Sequence, residues 1–371
     1  MATTYRYLLA NLLTNEIVAE LPLTGVAFTQ QLNTYGTLSA RILLSGINGD
    51  EFNVNDSTVP GRNVIYVDRD GILIWGGVIW SRSYNSTSQV LSITAQEMMS
   101  YFAHRRITTT ENFNGIDQLV IAKTLIENAQ ALPYGDIGVG YNTEGQTTSG
   151  ILINRVYYNY ELKTVFNAIQ DLSRQSDGFD FHIDLAYDMT GQPTKSFNTY
   201  YPKVGTTYSP TDPSAIVFEF PAGNVVEYTY PEDGSIVANT VYALGAGSNE
   251  GKLISIAQDT VRLAEQWALL DEQANYSDVT DQTVLDNLAQ GQVLATSYPP
   301  TTLTIVAPPY VDPILGTYEV GDEARVIITD SRFPNTLDTV YRIVALSVQP
   351  GEDGPERVTL TLTQGTYGTG A

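Results

Sequence analysis

Residues 62–94 constrain the fold of this chain most strongly, because they combine three β-type segments with the turns that an antiparallel sheet needs. Residues 64–67 and 72–80 are apolar runs rich in β-branched side chains, and residues 90–94 alternate apolar with hydroxyl side chains. Asp70-Gly71 separates the first two runs. Glycine adopts the positive φ of a tight hairpin turn at no steric cost, so the pattern predicts a three-stranded meander.

Gly76 and Gly77 stand in the middle of the second predicted strand. Paired glycines inside a strand are typical of a bulge or a sharp bend, which curls a sheet towards a barrel. We therefore predict that the strand bends at this pair.

A second meander of similar pattern lies near the end of the sequence. Three pairs of segments match in their order of apolar and polar residues: 62–68 with 324–330, 78–81 with 343–346, and 89–94 with 357–362. Any two antiparallel meanders share part of such a pattern. If the match reflects a duplication, each subunit holds two copies of one barrel, and three subunits can imitate a six-fold ring.

The order of segments predicts three domains, because 371 residues are many for a single core. Residues 1–110 read as a first β-barrel domain, residues 111–236 as a small α+β insert, and residues 237–371 as helical segments followed by a second, similar barrel. The expected fold class is therefore mainly β with an α+β insert.

Helical spacing of apolar residues sets the expected helices. We predict a short helix at 96–104 and longer ones at 116–131, 160–173, 260–273 and 281–296. Thr280 or Asp281 is expected to cap the last helix, which Pro299-Pro300 should stop.

Composition excludes several classes of function. Acidic residues outnumber basic ones 41 to 19, giving a net charge of −22. This charge argues against a protein that binds nucleic acid through its phosphates. The chain has no cysteine and therefore no disulfide or thiolate metal site. No apolar run approaches the roughly 20 residues that cross a bilayer. We expect a soluble product made in the cytoplasm.

Asp180, His182 and Asp184 form the most suggestive chemical cluster, because they share one face of a predicted strand at 179–187. They could bind a metal or act as an acid/base set, but the polar face of an amphipathic strand explains them more simply. His104 is the only other histidine in the sequence, so little remains to complete a catalytic set. We expect no catalytic, cofactor-binding or metal-binding residues.

Three further motifs have simple explanations. Residues 245–251 are glycine-rich but spell no phosphate-binding motif, which favours a turn. Trp75 and Trp80 could form a sugar-binding face, yet aromatic residues of β proteins are more often core and interface anchors. His104-Arg105-Arg106 is the densest basic spot, and we expect an ion pair there, within the chain or between subunits.

The order of barrel, α+β insert, helices and second barrel resembles that of the tail-tip or baseplate hub proteins of tailed bacteriophages. Several short sequence segments resemble those of minor tail proteins from siphophages that infect actinobacteria. They are Asp70-Gly71 with 74–80 and 101–105, then 178–184, 276–281 and 318–326.

This resemblance implies a structural virion protein at the tail tip, assembled in the host cytoplasm. It implies a homotrimer that caps the tail tube with pseudo-six-fold symmetry and lets DNA pass without specific binding. The implied partners are the distal tail or tail-tube ring, the tape measure protein and other minor tail proteins. The alternative is a tail-associated cell-wall hydrolase or a glycan-binding or receptor-binding protein, which would work through carboxylates and aromatic side chains.

Overall fold

The computed structural model describes residues 3–46, 52–141, 144–221, 223–297, 302–351 and 355–364. Strands predominate and the helices are few and short, so the predicted mainly β fold class is confirmed. Pro299 and Pro300 lie outside the described residues.

The first third of the chain is almost entirely β, as predicted. Its elements are β1 (Tyr5–Asn11), β2 (Ile17–Glu20), β3 (Thr24–Gln31), β4 (Thr37–Leu43), α1 (Val54–Ser57), β5 (Asn63–Arg69), β6 (Ile72–Asn85), β7 (Val90–Glu97) and α2 (Met99–Ala103). Strands β5, β6 and β7 form the predicted antiparallel meander.

The middle of the chain mixes helices and short sheets. Its elements are β8 (Glu111–Asp117), α3 (Gln118–Gln130), β9 (Val139–Tyr141), β10 (Leu152–Tyr157), α4 (Val165–Ser173), β11 (Asp180–Tyr187), β12 (Pro193–Tyr200), β13 (Ile216–Phe220) and β14 (Glu227–Thr229). The side chain of Asp117 caps α3 by accepting a hydrogen bond from the backbone N–H of Leu119.

The last third begins with a small sheet covered by a helix and ends in strands. Its elements are β15 (Thr240–Leu244), β16 (Ile254–Gln258), α5 (Thr260–Ala264), β17 (Asp271–Asn275), α6 (Gln282–Thr296), β18 (Thr302–Ala307), β19 (Glu323–Ile328), β20 (Leu337–Gln349) and β21 (Arg357–Thr363). Asp281 is the cap of α6, which resolves the choice between Thr280 and Asp281.

One sheet of thirteen strands joins the two ends of the sequence. Its path runs β14-β18-β21-β20-β3-β4-β7-β6-β5-β1-β2, with β19 attached to β20 and β13 attached to β19. The joint is the antiparallel pairing of β3 with β20, from Phe28 opposite Val348 to Gln31 opposite Ala345. Apolar side chains from both ends form one core on this sheet, among them Phe28, Trp75 and Leu346.

The middle of the chain pairs or packs with elements of both the first and the last third. Strands β13 and β14, which the prediction places in the insert, pair with β19 and β18 of the last third. The rest of the insert shares a second core with α6 and with the outward side of β5 and β6. The division at residues 110 and 236 stays a prediction.

The two meanders are alike in how their long central strands pair. The first half of β6 pairs with β5 and its second half with β7, while β20 divides in the same way between β19 and β21. Each central strand also carries one extra residue against its third strand: Trp80 in β6 and Val344 in β20. The sequence match pairs Trp80 with Ala345, which is the neighbour of Val344.

The predicted helix at 260–273 is wrong beyond its first turn. Helix α5 ends at Ala264, Gln266 has a positive φ of 67°, and residues 271–275 form β17, parallel to β15. A residue with positive φ interrupts a right-handed helix, so the chain leaves the helix there and continues into β17.

The glycine pair in β6 permits close contacts and is not itself a bulge. The extra residues are Ile74 and Trp80, on either side of the pair. A Cβ on Gly76 would lie 2.7 Å from side-chain atoms of Tyr66 and Leu185, and one on Gly77 would lie 2.2 Å from the carbonyl oxygen of Gln96. Gly76 therefore lets β11 approach β6, and Gly77 lets β7 approach it.

We expect Gly77→Ala to destabilise the fold more than Gly76→Ala, because its Cβ meets backbone whereas the other meets side chains that can shift. Overpacking typically costs about 1–3 kcal/mol of unfolding free energy, so Gly76→Val with Gly77→Val should leave the protein insoluble. Denaturant unfolding of the two alanine variants measures the difference. Gly234→Ala is the control, since a Cβ there meets nothing within 4 Å. A Gly77→Ala variant as stable as this control would contradict the assignment.

Candidate functional site

A cavity of about 460 Å³ lies where the two ends of the chain and the insert meet. Strands β3, β6, β11 and β20 and residues 315–320 supply its walls. Trp75, Leu185 and Leu346 are among its apolar lining residues. The polar side consists of Glu97 at the end of β7, His182 and Asp184 on β11, and Glu319.

His182 and Asp184 form an ion pair, with His182 Nε2 2.8 Å from Asp184 Oδ1. Burial lowers the pKa of His182, but the hydrogen bond and charge of Asp184 outweigh it and raise that pKa. Burial likewise opposes ionisation of Asp184, yet His182, Asn198 and Tyr200 together hold its pKa below the usual range. Each partner therefore stabilises the charged form of the other.

Glu97 differs from Asp184 because burial dominates its titration. Burial raises the pKa of Glu97 to about 8, although the backbone N–H groups of Gly36 and Gln31 and the charge of His182 act in the opposite direction. Burial and the charge of Asp184 also raise the pKa of Glu319. The cavity thus holds one carboxylate that is readily ionised and two that resist ionisation.

Asp180 does not join this cluster, although it lies on the same strand. It accepts hydrogen bonds from Asn33 Nδ2 at 2.6 Å and the backbone N–H of Val204 at 2.8 Å, and it pairs with Arg342. Both members of the pair are buried. Arg342 also donates to the carbonyl oxygens of Gly321 and Val204, at 2.9 and 2.8 Å.

The predicted polar face at 180–184 therefore serves two purposes. His182 and Asp184 line the cavity, and Asp180 ties the insert to β20. In the part of the chain that the structure describes, no group of histidine, aspartate and glutamate side chains could hold a metal ion.

A second buried network ties the insert to the segment before α6. Asp278 lies 2.7 Å from Arg155 Nη2 and 2.6 Å from Lys163 Nζ, and Lys163 also contacts Asp171 at 2.5 Å. Burial opposes the charge on Asp278, but the two cations hold the pKa of its carboxyl below the usual range.

Trp75 and Trp80 both pack within the chain, as the simpler interpretation predicted. Trp75 is buried, and its indole N–H donates to the carbonyl oxygen of Thr29 at 2.9 Å. Trp80 is partly buried, donates to Ser100 Oγ at 2.8 Å and packs on the ring of His104, with centroids 4.2 Å apart.

The basic cluster makes no ion pair with any residue that the structure describes. Arg105 Nη2 donates to the carbonyl oxygen of Ala129 at 2.9 Å, and Arg106 Nη1 donates to that of Leu162 at 3.2 Å. The predicted ion pair within the chain is therefore wrong for the described residues, because backbone carbonyls occupy these donors. An intersubunit pair stays a prediction.

Residues 245–251 form a turn between β15 and β16, as predicted. Gly247 has a φ of 104°, and residues 249–251 make a single 3-10 turn. The backbone packs closely here, since a Cβ on Gly245 would lie 2.9 Å from the carbonyl oxygen of Val279.

Sequence reasoning missed Glu97, Glu319 and Arg342. Arg342 gave a usable signal, because it interrupts the apolar run from Val340 to Val344, and a buried charge requires a partner. The identity of that partner was not readable, since Asp180 is 162 residues away. Glu97 and Glu319 follow ordinary strand and turn patterns and gave no signal.

The fold is that of bacteriophage tail proteins. A tail protein from Neisseria meningitidis MC58 superposes with a TM-score of 0.60 at 14% identity, covering 97% of each chain. Prophage tail protein gp18 from Listeria monocytogenes EGD-e gives 0.54 at 14% identity, over 96% of this chain and 94% of that one. The 43 kDa tail protein of prophage MuSo2 from Shewanella oneidensis gives 0.55 at 13% identity, over 96% and 98%.

No protein-family model matches the sequence, and no curated protein matches it. The likeness to tail proteins is therefore one of fold, and it extends over nearly the whole chain. The finer resemblance to actinobacterial siphophage proteins stays a prediction. Among the described helices, none combines the length and the apolar composition that crossing a membrane requires.

We expect Arg342→Met to cost about 3–5 kcal/mol of unfolding free energy, because it leaves Asp180 charged and buried without its partner. Pairing it with Asp180→Asn should recover part of that loss. Denaturant unfolding of the single and double variants gives the coupling energy.

Arg325 offers a matched control for this experiment. It makes a bidentate ion pair with Asp338 on a neighbouring strand, but the two side chains are 37% and 44% exposed. Arg325→Met should cost only about 0–1 kcal/mol. Equal costs for the two arginine variants would show that the buried pair does not hold the insert.

Proposed function

We propose that this chain is a structural virion protein, a homotrimeric tail-tip hub that caps the distal tail tube with pseudo-six-fold symmetry. One observation carries the proposal. A chain that shares its fold with tail proteins over nearly its full length holds two meanders whose central strands divide in the same way, and each central strand carries one extra residue against its third strand.

Three chains with two meanders each supply six similar units, which could alternate around a ring. The two meanders already belong to one sheet within each chain, through the pairing of β3 with β20. Ring closure would also protect the strand edges at the ends of that sheet, which among the described strands are β2, β13 and β14.

A hub in this position implies neighbours and a location. We propose that it contacts the distal tail or tail-tube ring, the tape measure protein and other minor tail proteins. It would reside at the tail tip of the virion, after assembly in the host cytoplasm. DNA would pass through it during genome ejection without specific binding.

The charge of the chain is consistent with a conduit. Duplex DNA carries one negative charge about every 1.7 Å of its axis, so basic side chains around a channel would hold it back. Each chain has a net charge of −22, and a trimer carries three times that charge. We propose that acidic and hydroxyl side chains face the bore.

One feature of the cavity supports the hydrolase alternative. Glu97 and Asp184 both line it, and their pKa values are shifted in opposite directions, as in many acid/base pairs. Asp184, however, is already bound to His182, Asn198 and Tyr200, so its carboxylate is not free to act as base or nucleophile. We therefore propose a non-enzymatic role. A zymogram on host cell wall should show no clearing.

The oligomeric state is the direct test of the ring. Native mass spectrometry and sedimentation of the purified protein should give the mass of three 40.6 kDa chains, and particle images of assembled tails should show three copies at the tip. A monomer or dimer inside an intact tail would overturn the proposal.

Retention of duplex DNA tests the conduit. At low salt, where phosphate contacts are strongest, the free protein should not retard a random duplex, because its net charge repels the phosphates. A gel-shift assay with a basic DNA-binding protein as positive control measures this. Tight retention, or a ring whose axis is lined with arginine, would favour the receptor-binding alternative.

A further inference from the structure

Lys195 is buried in the insert without an ionic partner. It lies on β12, the central strand of the sheet β11-β12-β9, and is only 3% exposed. The residues opposite it on the two neighbouring strands are Leu185 and Val139, both apolar. Among the described residues, Lys195 Nζ has no carboxylate partner and makes a single hydrogen bond, to Asn15 Oδ1 at 3.1 Å. A charged ammonium is costly in such a place, which favours the neutral amine.

Burial lowers the pKa of Lys195 to about 8, against the opposing effect of the charge of Asp136. Lys163 shows the contrast, because burial acts on it too, yet Asp171 and Asp278 outweigh burial and raise its pKa. Part of the Lys195 population is therefore neutral near physiological pH. A neutral amine carries the lone pair that makes lysine a nucleophile.

The carboxamide of Asn15 is held in place by three groups. Its Oδ1 accepts hydrogen bonds from the Tyr66 hydroxyl at 2.6 Å and from Lys195 Nζ at 3.1 Å, and its Nδ2 donates to the carbonyl oxygen of Pro193. Its backbone has a positive φ of 58°, and its N–H donates to the carbonyl oxygen of Asn11. The fold thus brings together an amine, an immobilised amide and a hydrogen-bond donor on the amide oxygen, the arrangement that favours a reaction between the first two.

We propose that Lys195 and Asn15 join in an isopeptide bond that forms spontaneously within the folded chain. Lys195 Nζ attacks Cγ of Asn15, so a new N–C bond forms and the π electrons of the carbonyl move to Oδ1. The carbonyl then re-forms while the Cγ–Nδ2 bond breaks, and Nδ2 leaves with the electron pair as ammonia after receiving one proton from Nζ. The products are one secondary amide and one ammonia molecule, so the reaction needs no oxidant, reductant or further reactant.

The Tyr66 hydroxyl is the catalytic group of this reaction. It is fully buried and donates to the oxygen atom on which negative charge develops. A donor that is fixed before the reaction stabilises such an oxyanion well, because no solvent has to reorganise. Burial raises the pKa of Tyr66, so its hydroxyl stays protonated where the lysine amine loses its charge.

The bond would tie the insert to the first third of the chain. Asn15 lies in the turn between β1 and β2, and Lys195 is 180 positions further along. A covalent cross-link restricts the unfolded chain, and it does so more strongly when it closes a longer loop. This inference does not depend on the proposed function, and it can be tested on the isolated protein.

The mass of the intact chain is the first test. The denatured protein, with or without Met1, should be lighter than its sequence mass of 40.6 kDa by one ammonia molecule, about 17 Da. A protein that has only the sequence mass would overturn the proposal. A succinimide at an Asn-Gly pair, such as Asn114-Gly115, would release ammonia as well, so the modified residues must also be located.

Tryptic digestion locates the bond. Trypsin does not cut after a lysine whose amine is acylated, so peptide 7–41, which holds Asn15, should be joined to peptide 175–203, which holds Lys195. Tandem mass spectrometry of this branched peptide identifies both ends. If the sample held only the separate peptides 7–41 and 175–195, the contact would be a hydrogen bond and nothing more, and the proposal would be overturned.

Two variants remove one reactant each. Lys195→Met deletes the amine and keeps an apolar stem, and Asn15→Gly deletes the carboxamide and permits the same positive φ. Each variant should show its full sequence mass. Lys123→Met, at an exposed position of α3, is the matched control and should still lose one ammonia molecule.

A mass loss that persists in Lys195→Met would place the lost ammonia elsewhere and overturn the proposal. Should either variant misfold, as judged by its thermal transition, the branched peptide of the unmutated chain decides alone.

Tyr66→Phe tests the catalytic group separately, because it keeps the ring and removes only the hydroxyl. The branched fraction is followed over time after cell-free synthesis of the full chain. We expect the bond to form on the order of a hundredfold more slowly in the variant, as is typical when one oxyanion donor is lost. Equal rates in the two proteins would overturn the role assigned to Tyr66.

Discussion

The pairing of β3 with β20 is the interaction on which the rest of the structure depends. Four residue pairs join strands that lie more than 300 positions apart, and they convert two separate meanders into one sheet with a shared core. Closing so long a loop costs only slightly more entropy than closing a short one, because the cost grows with the logarithm of length. The apolar surface buried on the common sheet is what offsets it.

The insert is fixed at this same seam by polar contacts. Asn33 follows β3, Arg342 belongs to β20, and both bind Asp180 at the start of β11. The three groups can meet only if β3 and β20 are paired, so the buried ion pair reports on correct closure of the sheet. A buried pair of this kind contributes little net stability, because desolvation offsets its attraction. We propose that its role is to specify one orientation of the insert.

Local features of the fold were predictable from sequence, and long-range pairings were not. The meander of β5, β6 and β7 could be read from Asp70-Gly71 and the alternation after it, since hairpins depend on neighbouring residues. Helix α5 was overestimated because apolar spacing cannot register the positive φ of Gln266. The parallel pairing of β13 with β19 and the cavity depend on contacts between distant segments, which one sequence does not encode in any local pattern.

One insert strand, β11, contacts the central strands of both meanders. Extending the match of 78–81 with 343–346 by two residues aligns Gly76 and Gly77 with Tyr341 and Arg342. Gly76 has no side chain, which lets Leu185 of β11 pack against β6. Arg342 of β20 forms an ion pair with Asp180 at the other end of β11. The two central strands thus contact the same insert strand, β6 by van der Waals packing at Gly76 and β20 by charge at Arg342. The contacts of β11 with Gly76 and Arg342 therefore hold the insert against both central strands, which belong to one sheet.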